Sequence, residues 1–130
     1  MIVVDASAVV EWLLRRPAGE TVNTRFTQSR GMIYAPHIID LEIAHALRRY
    51  VVSGALTVAR AEEALTDFGI FPLRRFGHAF LMRRVWMLRN NLTAYDAAYV
   101  ALAEMLMAPL VTCDSGISSA SGHFATVELI

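Results

Sequence analysis

The chain has 130 residues, 55% hydrophobic and 18% charged, with 12 basic side chains balancing 12 acidic ones; its mass is 14.4 kDa and its mean hydropathy +0.42. A chain of this mass folds to a surface of roughly 6,800 Å², which allows a hydrophobic core without disulfides, and the apolar, weakly charged composition argues against disorder. Zero net charge offers no sign of the strongly basic surface of a nucleic-acid-binding domain, leaving only a local patch to consider.

Ile2-Val3-Val4, ending at Asp5, reads as a buried parallel strand. A helix follows over Ser7 to Leu14 and stops at Arg15-Arg16-Pro17, because proline disfavours helical backbone at the residue before it. A second helix is predicted over Thr21 to Gln28, then a strand over Met32 to Ala35. Pro36 opens a helix whose Ile39, Ile43, Leu47 and Tyr50 recur at the helix period. Ser53-Gly54 breaks it, and Thr57 caps the next helix, which runs through Ala61, Leu65 and Phe68 to Gly69. A short strand, Ile70-Phe71, is predicted before Pro72, then a helix over Phe76 to Leu88 and a turn at Asn90-Asn91. Thr93 starts a helix through Met107, Pro109 stops it, and Leu110-Val111-Thr112 forms another buried strand just before Asp114. A Ser/Gly loop and a last strand over Ala125 to Leu129 complete the pattern. Alternating strands and helices predict an α/β fold with a mostly parallel sheet, and the lack of any linker or repeat predicts one domain over residues 1–130.

All twelve basic residues are arginine. That excludes the lysine-dependent Walker phosphate loop and Schiff-base chemistry. The single cysteine, Cys113, forms no intrachain disulfide and fits a reducing compartment and a buried apolar role. The N-terminus has no basic segment ahead of an apolar one, and the longest stretch free of charged side chains, Ser115 to Val127, is 13 residues. A spanning helix needs about 20 apolar residues, so a cytoplasmic protein that does not enter the membrane is expected.

Four carboxylates hold informative positions. Asp5 and Asp114 follow apolar runs read as parallel strands, so both belong at the carboxyl edge of the sheet, where open α/β sheets bind ligands. Glu42 and Asp96 lie in the first turns of two helices that start at the same edge. Singly, each has an ordinary role: Asp5 and Asp96 as parts of helix caps, Asp114 opening a turn, Glu42 on a helix surface. Together, four acids in one pocket raise each other's pKa unless a cation neutralises them. Hard oxygen ligands select Mg²⁺ or Mn²⁺, which suits phosphodiester hydrolysis and requires no lysine. Thr112, two residues before Asp114 on a strand, and Ser7, two after Asp5, are supporting hydroxyls.

The segments IVVDASA, APHIIDLEIAHALRR, LTAYDAAYVALAE and PLVTCD resemble, in order and spacing, the PIN-domain ribonucleases, and among them the VapC toxins of bacterial toxin–antitoxin pairs. The resemblance runs from Ile2 to Asp114. It implies a three-layer α/β/α domain, a Mg²⁺- or Mn²⁺-dependent endoribonuclease, and an acidic metal site on Asp5, Glu42, Asp96 and Asp114, with Ser7 and Thr112 beside it. It also implies an RNA substrate such as tRNA or rRNA, a homodimer, and a groove for the helix of a cognate antitoxin. The chain departs from the family after Asp114, where Ser115, Gly116, Ile117 and Ser118 supply no further acid or Asn.

Between Asp67 and Asp96 there is no acid, while Arg74, Arg75, Arg83, Arg84 and Arg89 give that segment a formal charge of +5. Such a cluster either binds phosphates or forms a solvated face. Phe76, Phe80 and Trp86 within it have the spacing of a core stripe. Arg15, Arg16, Arg48 and Arg49 lie near helix ends, where cations suit the dipole. Val9, Val10, Trp12, Leu13 and Leu14 make the first helix apolar on more than one face, so a second chain is expected to cover it. His37, His45, His78 and His123 are expected to be core or surface residues, with His45 near Glu42. Alternative readings are a PIN-like domain that binds RNA or a partner without cutting, and an RNA-processing nuclease outside toxin–antitoxin pairs. A phospho-acceptor signalling domain is disfavoured by the missing lysine. A haloacid-dehalogenase-type phosphatase is disfavoured by Ser7, where a second aspartate is expected.

Overall fold

In the computed structural model, which describes residues 1–130, five short strands pair into one sheet: β1 (Ile2–Val4), β2 (Ile33–Pro36), β3 (Leu73–Phe76), β4 (Leu110–Thr112) and β5 (Val127–Leu129). The order is β3-β2-β1-β4-β5 and every pairing is parallel. β1 is central, with Val3 set beside Tyr34 of β2 on one side and Leu110 of β4 on the other. Its three residues are at most 1% exposed, as a central strand covered on both faces requires.

The helices are α1 (Ala6–Leu13), α2 (Gly19–Gln28), α3 (Ile39–Val52), α4 (Val58–Ile70), α5 (Met82–Met87), α6 (Ala94–Leu106) and α7 (Ser115–Ser119). They flank the sheet in the three-layer arrangement, with α6 packing on β1, β2 and β4. α6 is buried without interruption from Ala97 to Ala103, a run of mostly small residues that lets the helix lie close to the strands. In all, 34 buried apolar residues form one cluster, and the solvent-accessible surface is 7208 Å².

Four helix starts are fixed by side-chain caps, two of them, Asp5 and Asp114, just beyond strand ends. Asp5 accepts from the Ala8 N–H, Thr57 from Arg60, Thr93 from Asp96, and Asp114 from Gly116. Each occupies one of the donors that a helix start leaves without an intrahelical partner.

Three predicted elements move. The strand expected at Ile70-Phe71 is instead β3, after Pro72, and α4 continues through Gly69 to Ile70. Gly69 lacks the positive φ of a helix-ending glycine, so the break comes from Pro72, which holds Phe71 extended. The helix expected from Phe76 is shortened, because Phe76 pairs with Pro36 in the sheet; a 3-10 turn at Ala79–Leu81 then leads into α5. The Ser/Gly loop contains α7, which its composition hides; the Asp114 cap and fully buried Ile117 hold this short helix in place.

Two packing expectations are corrected. The first helix is covered by its own chain: Val9, Val10 and Leu13 are buried, α2, α3 and α4 all touch α1, and Trp12 clusters with Phe26 and Phe71, edge-on to the first at 5.4 Å and tilted to the second at 4.7 Å. Gly19 makes this closeness possible, since a Cβ there would meet the Glu11 carbonyl oxygen at 2.6 Å. Phe80 and Trp86 are not core residues but 55% and 68% exposed; the brevity of α5 leaves only its Val85 side against the core.

Candidate active site

The carboxyl ends of β1 and β4 lie side by side at the middle of the sheet, and each continues into a carboxylate. Asp5 is buried, with both oxygens engaged. Ser7 Oγ donates to its Oδ1 at 2.7 Å, the Ala8 N–H to the same oxygen at 3.2 Å, and Thr112 Oγ1 to Oδ2 at 2.9 Å. Thr112 Oγ1 in turn accepts from the Asp114 N–H at 2.9 Å, and Ser7 Oγ accepts from the Cys113 N–H at 2.8 Å. The two hydroxyls therefore lock the end of β1 to the end of β4.

A cleft of about 810 Å³ opens above this lock, and Asp5, Glu42, Asp96 and Asp114 all line it, with Ser7 beside them. α3 carries Glu42 to the cleft, and α6 carries Asp96. Glu42 accepts a hydrogen bond from the Tyr99 hydroxyl. Tyr99 is 1% exposed and lies one helical turn from Asp96, so α6 supplies both an acid and a donor that orients the acid opposite. Tyr99 is absent from the sequence-derived set. The available signal was a tyrosine inside a run of small apolar residues, because a buried phenol needs a hydrogen-bond partner. Cys113 and Tyr95 also line the cleft unforeseen.

The electrostatics are those of acids crowded together, with Arg49 the one arginine among the lining residues. Burial pushes the Asp5 carboxyl up to about 6, against the three hydrogen bonds that favour its anion, and the charge of Asp114 adds to the rise. Glu42 is raised by burial and by Asp96, against the Tyr99 hydrogen bond; Asp96 is raised by burial and by Asp114. Burial and the nearby Glu42 push the Tyr99 phenol up strongly, so it stays a donor. Burial, then Asp5 and Glu11, hold the Cys113 thiol up at about 11, in its protonated form. None of the four acids is ion-paired, whereas Glu11, Asp40, Glu63, Glu104 and Glu128 all are.

This set fits a hard divalent cation on its donor chemistry: several carboxylate oxygens, no amine, and uncompensated negative charge. No three His, Cys, Asp or Glu side chains stand close enough to enclose an ion. Carboxylate donors of this kind suit a cation that keeps much of its water and takes one or two carboxylates, as Mg²⁺ does, rather than the Cys and His set of a zinc cage. A groove of about 930 Å³ between the start of α2 and the end of α4 is slightly larger, but Glu20 and Asp67 are its only carboxylates.

The remaining predicted groups are placed as follows. His45 lines the cleft, His78 accepts from the Ile38 N–H at 3.1 Å, His37 is exposed, and both ring nitrogens of His123 are buried without a partner. The +5 arginine segment is partly neutralised in space. Arg75 pairs with Asp40 at 2.7 Å and Arg84 with Glu104 at 2.6 Å, both acids coming from outside the segment. Arg74 and Arg89 lie over the rings of Tyr34 and Trp86 at 5.9 and 4.8 Å. No helix is long and apolar enough to cross a membrane.

Comparison with known proteins agrees with this geometry. Residues 2–122 match the family model of the PIN domain. Ribonuclease VapC12 of Mycobacterium tuberculosis is 40% identical over 131 aligned positions, covering 100% of this chain and 99% of the relative. Ribonuclease VapC1 of the same species is 40% identical over 129, covering 98% and 96%. The fold is shared with a crystal structure of VapBC2 from Rickettsia felis bound to a DNA fragment from their promoter, at 15% identity and a TM-score of 0.72, covering 99% of this chain and 98% of that one. A parallel sheet whose central strands end in linked carboxylates, matched along its length by curated ribonucleases, thus places this chain in the PIN-domain family, among the VapC ribonucleases.

Proposed function

We propose that the protein is the toxin of a toxin–antitoxin pair, a single PIN domain that cuts RNA phosphodiester bonds in a Mg²⁺- or Mn²⁺-dependent reaction. Asp5, Asp96, Asp114 and Glu42 form the catalytic and metal-binding set, one or two of them taking the cation directly and the others through its bound water, with Ser7 and Thr112 in support. The observation that carries this reading is the convergence of four carboxylates without ion pairs in one cleft. When bound, the cation supplies charge for the phosphate oxygens and a more acidic water.

The chain's own residues have distinct tasks. Thr112 and Ser7 fix both oxygens of Asp5, so its carboxylate is already oriented and would hold a cation with little further loss of rotamer freedom. Thr112 also holds the backbone of Asp114. Tyr99 orients Glu42 across the cleft. Asp96 and Asp114 are less tightly held and are placed to accept a proton from water. Substitution of a hydroxyl that orients a metal-binding carboxylate commonly lowers affinity or activity by 10- to 100-fold.

The partners follow from the same reading: an RNA such as tRNA or rRNA, and a cognate antitoxin, in the cytoplasm. A homodimer is supported by exposed Phe80, Met82, Trp86 and Tyr95, of which Met82 and Tyr95 edge a further apolar pocket of about 170 Å³. Sedimentation equilibrium of the purified chain should return twice the monomer mass at micromolar concentration; a monomer there overturns the dimer.

The function is tested by incubating partner-free protein with bulk tRNA and Mg²⁺ or Mn²⁺. EDTA should stop cleavage, and Asp96→Asn should slow it by on the order of a hundredfold or more. Cleavage that survives EDTA, or that Asp96→Asn leaves intact, overturns the mechanism.

A further inference from the structure

We propose that Arg49 is a substrate-binding residue, whose guanidinium takes an RNA phosphate neighbouring the one being cut. The proposal rests on the ribonuclease reading above and adds to it a residue outside the acidic set. A cleft lined by four unpaired acids repels a polyanion, and a cation at the scissile position offsets that only locally. An RNA strand needs a further positive group along its path.

α3 provides one. Glu42, His45 and Arg49 all line the cleft, and their spacing of three and four residues sets them in a row on one helix face. Glu42 and Arg49 are two turns apart, about 10 Å along the axis, so the row leads away from the acids. Glu11 and Arg16 cancel each other nearby, with their charged atoms 2.9 Å apart, and Arg49 is the one arginine lining the cleft. It is exposed and forms no ion pair with any acid of the chain. A guanidinium left free beside so many carboxylates, and spaced from them by a rigid helix, is arranged to meet an anion that enters from outside. A forked donor suits phosphate oxygens.

Arg48 supplies an internal control. It carries the same charge, shares the same helix end, is exposed, and does not line the cleft. General electrostatics and the helix dipole therefore act on both positions, whereas contact with a strand in the cleft acts on Arg49 alone.

The experiment measures bulk tRNA binding to Arg49→Gln and Arg48→Gln in an Asp5→Asn background that does not cut, and cleavage by each single variant. Arg49→Gln should weaken binding about tenfold, raise KM with kcat little changed, and lower the slope of log K against log salt by about 0.7, one phosphate contact to a single strand. Arg49→Lys should recover part of the loss, and Arg48→Gln should behave as the parent. Equal effects of Arg48→Gln and Arg49→Gln, an unchanged salt slope, or a loss seen only in kcat overturns the proposal. So does an Arg49→Gln effect confined to antitoxin binding. Wild-type protein that cuts neither tRNA nor rRNA with a divalent ion present refutes the nuclease reading, while the binding arm still decides the role of Arg49.

Discussion

Asp5→Asn is expected to reduce RNA cleavage by on the order of a thousandfold and at the same time to raise the melting temperature of the cation-free protein by several degrees. Both effects have one origin. Folding carries the Asp5 carboxyl from 3.8 to about 6, chiefly by burial. A raised folded pKa means that the native state prefers the proton, so the cost of ionising Asp5 is absent below about pH 4, grows as pH rises through 6, and is complete at neutral pH. A shift of about two pKa units corresponds to about 3 kcal/mol. Asparagine keeps the shape and an oxygen for Ser7 and Ala8, turns its amide toward Thr112, and removes the charge. The advantage of the variant should therefore be largest at pH 7 and vanish near pH 4. Mg²⁺ should narrow it by stabilising the wild type alone. Thermal melts at pH 4 and pH 7, with and without Mg²⁺, check this; an asparagine variant less stable than wild type at pH 7 without Mg²⁺ refutes the burial argument.

The largest loss of stability is expected elsewhere, at Arg84→Ala. Arg84 grips Glu104 with two hydrogen bonds of 2.6 and 2.8 Å and reaches the Gly122 carbonyl at 3.2 Å. Phe124 adds its N–H to Glu104 at 3.0 Å and its ring under the guanidinium. The Glu104 side chain is only 4% exposed. Burial alone would raise its pKa, but the Arg84 hydrogen bonds, the Phe124 N–H and the Arg84 charge outweigh burial and hold it below 4.5. The pair thus contributes stability above the ordinary glutamate pKa and loses it as pH falls through the lowered one. Without Arg84 the sign reverses, since a buried anion is left with one backbone donor and burial prevails. The cost should be about 3 kcal/mol at pH 7, shrinking toward pH 4 as Glu104 takes a proton. Urea midpoints at the two pH values measure it, and replacing both residues by methionine should recover most of the loss. A deficit under about 1 kcal/mol, or one that grows on acidification, is incompatible with this account.

The sheet was legible because β-branched runs at Ile2–Val4 and Leu110–Thr112 have no other economical use, and both run into an aspartate. Glu42 and Asp96 were legible as acids at helix starts near the same edge. What the sequence hid was pairing across distance. Tyr99 looked like one more apolar position until its hydroxyl was found on Glu42, 57 residues away. The arginines from 74 to 89 read as a block of charge, yet Arg75 and Arg84 find acids 35 and 20 residues away. Phe80 and Trp86 have the spacing of a core stripe, and only the short length of α5 reveals that they stand largely in solvent, with Arg89 over one face of Trp86. Local pattern gave the type of most elements but not of α7 or of the segment from Ile70 to Phe76, where Pro72 rather than Gly69 decided the boundary, because a proline constrains its neighbour and a glycine merely permits a break.

The hydrogen bond from Thr112 to Asp5 spans 107 residues, and that separation sets a timetable. Asp5 leaves the ribosome 107 residues ahead of the hydroxyl that fixes it, and the acid beside it follows later still. β1 waits equally long for β4, because no earlier strand takes that side of it. Contacts so distant along the chain form late, after most of the closure entropy has been met. A nascent chain therefore carries its first acid past the ribosome's own RNA while the cleft is still unmade. The finished site comes into being only once β4 has been made and has paired with β1.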